Sequence, residues 1–299
     1  MPHPSSILSV LLGLLLLVVP VAQAQDSPEI LLRLDDIGMT QAVNHAAEDL
    51  AKEGVRFAVS AMPATPWFQH GAEILNRYDD QISTGIHLTL NSEWKGYRWG
   101  PVLGKEEVPS LVDEHGYFHP SISDFLESEY DLDEVERELD AQIQRAMNSG
   151  LDIDYLDHHM GTAVQTPELR QIVEDLAERY ELGISRYFGE SYESMWGTPI
   201  ADKAAAFFDH LENLDEDAVN LVVIHASRNT DEMKLVDMNA DAQNTADGRA
   251  MVHMHRSSER GMLLSDKFLQ LVEDGAVTPV TYTDIIAREG LDAMEAPED

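Results

Sequence analysis

Cysteine is absent from all 299 residues. That excludes disulfides, thiolate metal sites, a cysteine nucleophile and a lipidated N-terminal cysteine. Lysine is scarce too, 6 against 14 arginines. The 20 basic side chains face 55 acidic ones, for a formal net charge of −35. A general nucleic-acid binder is excluded on that ground, because neutralising phosphate requires clustered Lys and Arg. High carboxylate with little lysine suits salt-rich water, where screening weakens self-repulsion. A halophilic surface is one reading and an ordinary acidic exported enzyme the other, and a salt titration in which stability peaks in dilute buffer would refute the first.

Long apolar runs are missing beyond the first 25 residues. Residues 7–19 are almost continuously apolar, Pro20 breaks the run, and Ala22-Gln23-Ala24 gives a small-x-small cleavage pattern. This reads as a secretory signal cut after Ala24. The run is shorter than the ~20 residues a membrane span needs. Only the α-amine and His3 supply positive charge before it. The expected organisation is a signal peptide over 1–24 and one domain over 25–299. The mature protein is then periplasmic or secreted, with no stable membrane insertion after cleavage.

What the chain does have is core material. It is 43% hydrophobic, enough to argue against global disorder despite its charge. Short β-branched runs at 30–34, 55–62, 82–90, 153–157, 183–187, 219–225 and 277–281 read as strands. Between them, 41–53, 67–78, 132–148, 166–180 and 257–273 have helical periodicity or caps. This β-α alternation predicts an α/β fold with parallel strands, a (β/α) barrel or distorted barrel. Residues 91–129 break the alternation and read as a loop insertion over one end.

Polar residues sit where strand cores would not tolerate them. The first strand ends in Asp35-Asp36, the third carries His87, the fourth runs into Asp157-His158-His159, and a later one ends at His225. Functional groups of parallel barrels gather at the strands' carboxyl ends. One carboxylate and two imidazoles from different strands form a three-ligand divalent site with open positions. Imidazole-rich sites favour zinc, while a hard carboxylate leaves magnesium or another divalent ion open. Of two adjacent aspartates, one can hold metal and the other act as base. A further histidine such as His225 can protonate a leaving group. Taken singly, an Asp-Asp pair is often a turn or cap, and a lone histidine a satisfied core residue.

The ordered set of motifs resembles the YdjC/ChbG-like carbohydrate deacetylases. Leu34-Asp35-Asp36-Ile37-Gly38-Met39-Thr40 with Asn44 is similar to that family's opening A-D-D-F-G-L-S…N. Gly85-Ile86-His87-Leu88-Thr89-Leu90 is similar to its G-x-H-L-x-L strand, and Tyr155 to His159 to its H-x-D-S-H strand end. The stretch 113–118, the helix around Glu134 to Gln144, and Arg256 to Glu259 follow the same order. The resemblance implies a barrel-like fold and hydrolysis of an acetyl group on an amino sugar. Carried over residue by residue, it implies Asp36, His87 and His159 as metal ligands, Asp35 as general base and His225 as acid. Arg33 and Leu34 depart from the family's Asn-Ala, and Met160-Gly161-Thr162 from its histidine-rich continuation.

Supporting or substrate-binding roles are expected for Arg33, Trp94, Trp99, Asp157, Arg256 and Glu259. Trp94, Tyr97 and Trp99 would stack on sugar rings or form a small satellite core. Arg256 and Glu259, three apart, would pair on a helix surface or serve the site. Asp157 would orient a metal-binding histidine. The expected partner is an acetylated carbohydrate. Oligomeric state stays open, a homodimer included. Two other readings remain: a metal-dependent phosphoesterase with Arg33, Arg186 and Arg228 as its phosphate clamp, and an exported non-catalytic glycan-binding protein.

Overall fold

The computed structural model describes Met1 and residues 27–94, 96–215, 217–237 and 251–297. The rest of the expected signal segment and its cleavage site lie outside the described residues. In chain order the elements are β1 (Glu29–Ile37), α1 (Gln41–Lys52), β2 (Phe57–Ala61), α2 (Phe68–Leu75), β3 (Ile82–Leu88), α3 (Ile122–Glu127), α4 (Leu132–Asn148), β4 (Tyr155–His158), α5 (Pro167–Tyr180) and β5 (Gly183–Ile184). Then follow β6 (Ser191–Ser194), α6 (Lys203–Leu211), β7 (Asn220–Ile224), α7 (Asp231–Asp237), α8 (Val252–Leu263), α9 (Asp266–Glu273), β8 (Thr278–Pro279) and α10 (Tyr282–Glu289).

The strands pair in the order β5-β4-β3-β2-β1-β7-β6, all parallel, and β8 pairs the start of β1. The sheet curls into a half-barrel, so the distorted form of the expected barrel is the one realised. β1 is central, and strand order reverses there between β2 and β7. Crevices at such reversals, at the strands' carboxyl ends, are where α/β sheets bind ligands.

Alternation along β1 sets up everything above it. Ile30, Leu32 and Leu34 enter the large core shared with the helices. Leu31 packs instead with Tyr155, Leu221, Val223 and Tyr282 on the inner face. The next residues with that parity are Arg33 and Asp35, so the inner face turns from apolar to charged within one strand. The Tyr155 ring is admitted by Gly85, where an added Cβ would lie 2.3 Å from the ring. Such overpacking costs about 1–3 kcal/mol or more.

Local signals place most elements as read. Thr40 caps α1 by accepting from the Val43 N–H, and Gly54 follows with φ 76°. Thr166 caps α5, with Pro167 in its first turn. Three expectations need correction. The helix over 257–273 is two helices, because Ser265 is extended and caps α9 by accepting from Phe268 N–H. The strand over 183–187 stops at Ile184, since Arg186 has φ 72° and turns the chain. The strand over 277–281 is in register with β1 only at Thr278 and Pro279, held by the Thr278 N–H on the Pro28 carbonyl and the Val280 N–H on the Ile30 carbonyl.

The segment after β3 does depart from the alternation. Trp99, Val108, Leu111, Phe118 and Phe125 are buried there. Motif residues on α4 tie it down. Glu138 accepts from the Val102 and Leu103 N–H groups, and Glu134 from Ser110. Gln142 takes both backbone groups of Thr89 at the exit of β3.

Candidate active site

Adjacent strand residues normally point to opposite faces. Asp35 and Asp36 nevertheless both line one cavity of about 770 Å³. Asp36 has φ 67°, and the β1–β2 register shifts between Leu34 and Ile37. This bulge re-aims Asp36. Asn44 fixes the turn behind it, accepting the Gly38 N–H at 2.7 Å and donating to the Trp67 carbonyl.

Around Asp36 three ligand-type atoms converge. Its Oδ1 is buried without a hydrogen-bond partner. His159 Nδ1 lies 3.3 Å from it and His87 Nε2 3.5 Å. Ligands about 2.1 Å from a tetrahedral zinc stand roughly 3.4 Å apart, so the spacing fits such an ion. Both imidazoles are oriented from behind by carboxylates, the arrangement usual at metal-binding histidines. Asp157 Oδ2 lies 2.7 Å from His87 Nδ1, and Glu93 Oε2 3.0 Å from His159 Nε2. Asp35, His87 and Asp157 also cluster within 4.8 Å. Arg33 occupies both of those carboxylates, which makes them the poorer ligand set.

Arg33 grips Asp35 through two nitrogens at 2.7 and 2.8 Å. Its Nη1 reaches Asp157 at 3.0 Å and Ser185 at 2.6 Å. One guanidinium thus ties Asp35 to the carboxylate behind His87. The chain of contacts continues from Ser185 to the Tyr282 hydroxyl and on to Glu190.

Burial and charge compete here. Burial alone would raise Asp36, but Arg256 and His159 hold it well below the usual carboxylate range. Burial would likewise lower His159, yet Glu93 and Asp36 push it up to about 10. Asp157 is held low by Arg33 and His87 against its own burial. Burial lowers His225, and the carboxylates of Asp36, Asp35 and Glu259 only partly offset this.

Residues 29–274 match the family model described as YdjC-like protein. The chain belongs to that family. A relative from Enterococcus faecalis named carbohydrate deacetylase is 36% identical over 155 residues, 52% of this chain and 56% of that protein. Another of that name, from Thermoanaerobacter pseudethanolicus, is 24% identical over 264 residues, 85% of this chain and 98% of that protein. The first alignment therefore spans only about half of the relative, the second nearly all of it. An Enterococcus faecalis crystal structure, assigned provisionally to cellobiose-phosphate cleavage, superposes with TM-score 0.67 at 25% identity, over 87% of this chain and 99% of that one.

In this YdjC-like protein the cavity collects most of the residues anticipated from sequence: Arg33, Asp35, Asp36, His87, Trp94, Asp157, His159, His225 and Arg256. Trp99 departs from the sugar-stacking expectation. It is 2% exposed, its indole N–H binds the Asn91 carbonyl, and its ring packs 6.0 Å from His159. Tyr97 likewise uses its hydroxyl on the Met39 carbonyl. Neither Arg256 nor Glu259 is on the surface, and they do not pair. Arg256 donates to Asp36. Glu259 is buried against Lys203 and accepts the His225 backbone N–H at 2.5 Å, which makes it a support for the strand end. Of the three arginines of the phosphate clamp, Arg33 is spent on Asp35 and Asp157 and Arg228 on Asp49, which leaves Arg186 on the cavity lining.

Glu93 and Trp196 escaped the sequence reading. Glu93 is the first acid after the His87 strand, which is a usable signal. Trp196 lies in an irregular loop and packs beside His225, at 5.1 Å, and Arg256, at 5.5 Å. Nothing local marks it.

Proposed function

We propose that this chain is an exported, metal-dependent carbohydrate deacetylase that removes acetyl groups from an amino sugar or oligosaccharide. The observation that carries the reading is the partnerless Asp36 Oδ1 flanked by two imidazoles, with a second aspartate beside it. The names of the relatives agree with it. Export rests on the apolar run and small-x-small pattern before Gln25.

Asp36, His87 and His159 would hold a divalent ion, zinc on donor chemistry. Bound there, it supplies Lewis acidity toward water and an acyl oxygen. The chain's own groups do the remaining work. Asp35 is the general base, and Arg33 holds its carboxylate in one orientation. His225 gives a proton to the leaving nitrogen, or to oxygen if the substrate is an ester. Its buried setting opposes protonation, so activity falls as pH rises through its lowered titration, and the alkaline limb of the pH profile belongs to this residue. Trp94 and Trp196 line the walls beside the reacting groups and offer apolar faces to a sugar ring.

The test is acetate release from N- and O-acetylated oligosaccharides, before and after chelation and after adding back zinc, magnesium or manganese. Acetate release that disappears with chelator and returns with metal supports the reading. Full activity in metal-stripped protein would sink it.

A further inference from the structure

Arg256 sits in α8 at 2% exposure, on the cavity wall. Its Nη2 donates to Asp36 Oδ2. Its Nε and Nη1 are buried and have no hydrogen-bond partner. A buried guanidinium with two idle nitrogens is costly, and such groups call for an explanation.

The idle edge is not for want of acid nearby. Glu259, three residues on, has the spacing to meet Arg256 on the helix surface. It is withheld. Lys203 Nζ binds its Oε1 at 2.5 Å, and the His225 N–H takes Oε2. The other oxygen of Asp36 faces the imidazoles rather than Arg256. The backbone is also fixed, with the Arg256 carbonyl accepting from the Ser227 N–H. The Trp196 ring backs the guanidinium. Two strong donors are thus left unpaired on a guanidinium that lines the cavity together with Asp36 and His225.

We propose that Arg256 is a catalytic residue whose Nε–H and Nη1–H donate to the acyl oxygen of the substrate as that oxygen becomes negative. The proposal rests on the deacetylase reading and deepens it. Water oxygen bonds to the acyl carbon while its proton passes to Asp35. The carbonyl electron pair moves onto the acyl oxygen, where Arg256 meets it. The pair returns as the C–N bond breaks, and the nitrogen takes a proton from His225. Acetate and a free amine leave. Charge-assisted donors favour the oxyanion over the neutral carbonyl, so the effect falls on kcat rather than on KM.

The test compares zinc-loaded wild type with Arg256→Gln and Arg256→Lys. The substrate is an acetylated amino-sugar oligomer that wild type hydrolyses, and the tetrahedral mimic is its methylphosphonamidate. Arg256→Gln is expected to lower kcat about 10²–10³-fold, with KM within about threefold. Binding of the mimic should weaken by the same factor as kcat/KM, and Arg256→Lys should fall between. Zinc affinity, measured directly, should move far less than kcat. A loss that saturating zinc restores, a loss carried by KM alone, or unchanged binding of the mimic would each overturn the proposal. If Arg256→Gln does not fold, Arg256→Lys gives the same readouts. If wild type releases no acetate from any sugar, the deacetylase reading fails. Binding of the mimic by wild type and variant then decides the role of Arg256 alone, and equal binding overturns it.

Discussion

The two sides of the cavity are built on opposite terms. On the β3–β4 side the two imidazoles beside Asp36 each have a carboxylate behind them, Asp157 for His87 and Glu93 for His159. Arg33 closes that side into one connected network with Asp35. On the β7–α8 side the nitrogens stand idle: Nδ1 of His225 and two nitrogens of Arg256 have no partner. The first side has its two oriented imidazoles in place before any ligand arrives, although Asp36 Oδ1, His158 Nδ1 and Trp94 Nε1 there have no hydrogen-bond partner. The second is completed by what binds. Protein-satisfied groups suit a resident ion that must sit in one geometry. Donors left open suit a transient substrate that must leave again.

The contrast breaks most visibly at the ligands. His87→Ala and His159→Ala should lose zinc and all but background turnover, with zinc content by atomic absorption as the check. Asp35→Asn comes next. It should keep zinc and its affinity within about tenfold, while kcat falls about 10²–10⁴-fold, the range of a lost general base. Zinc loss in Asp35→Asn would mean that the two aspartates share the ligand role. Asp157→Asn should weaken zinc binding about 10–100-fold, as loss of a carboxylate behind a histidine ligand does.

The subtlest expected effect is the change that Glu93→Gln makes to pH dependence. His159 is held up to about 10 by Glu93 and Asp36 against its burial, so it is protonated at neutral pH before metal enters. A ligand must be neutral, so binding displaces one proton. Apparent zinc affinity should therefore rise about tenfold per pH unit from pH 6 to 9. Glu93→Gln removes one of the groups holding the proton. Its slope should flatten at lower pH than in wild type, which calorimetric titrations in buffers of two ionisation enthalpies would show. Parallel slopes would mean that Glu93 does not govern the ring.

Sequence periodicity reached the scaffold because buried β-branched strands and capped helices leave local marks, Thr40 and Thr166 among them. It missed β6, since Ser191–Ser194 is a polar edge strand paired only with β7, and it carries no apolar run. At the site, the Asp and His residues were legible because charge at strand ends violates the core pattern. Their division of labour was not. Only the bulge at Asp36 shows how neighbouring aspartates come to face one cavity. The fates of Arg256 and Glu259 were likewise hidden, because Lys203, 56 residues before Glu259, decides them. Trp99 misled for a related reason. An aromatic residue in a loop looks the same in sequence whether it faces a sugar or the underside of a histidine.

The lining of the cavity has one consequence of its own. Asp35, Asp36, Glu93, Asp124 and Asp157 carry five negative charges, and Arg33, Arg186 and Arg256 carry three positive ones. Five against three leaves two negative charges, and the proton that the acid role requires on His225 leaves one. The cavity is thus nearly balanced in charge, even inside a protein that carries thirty-five negative charges overall.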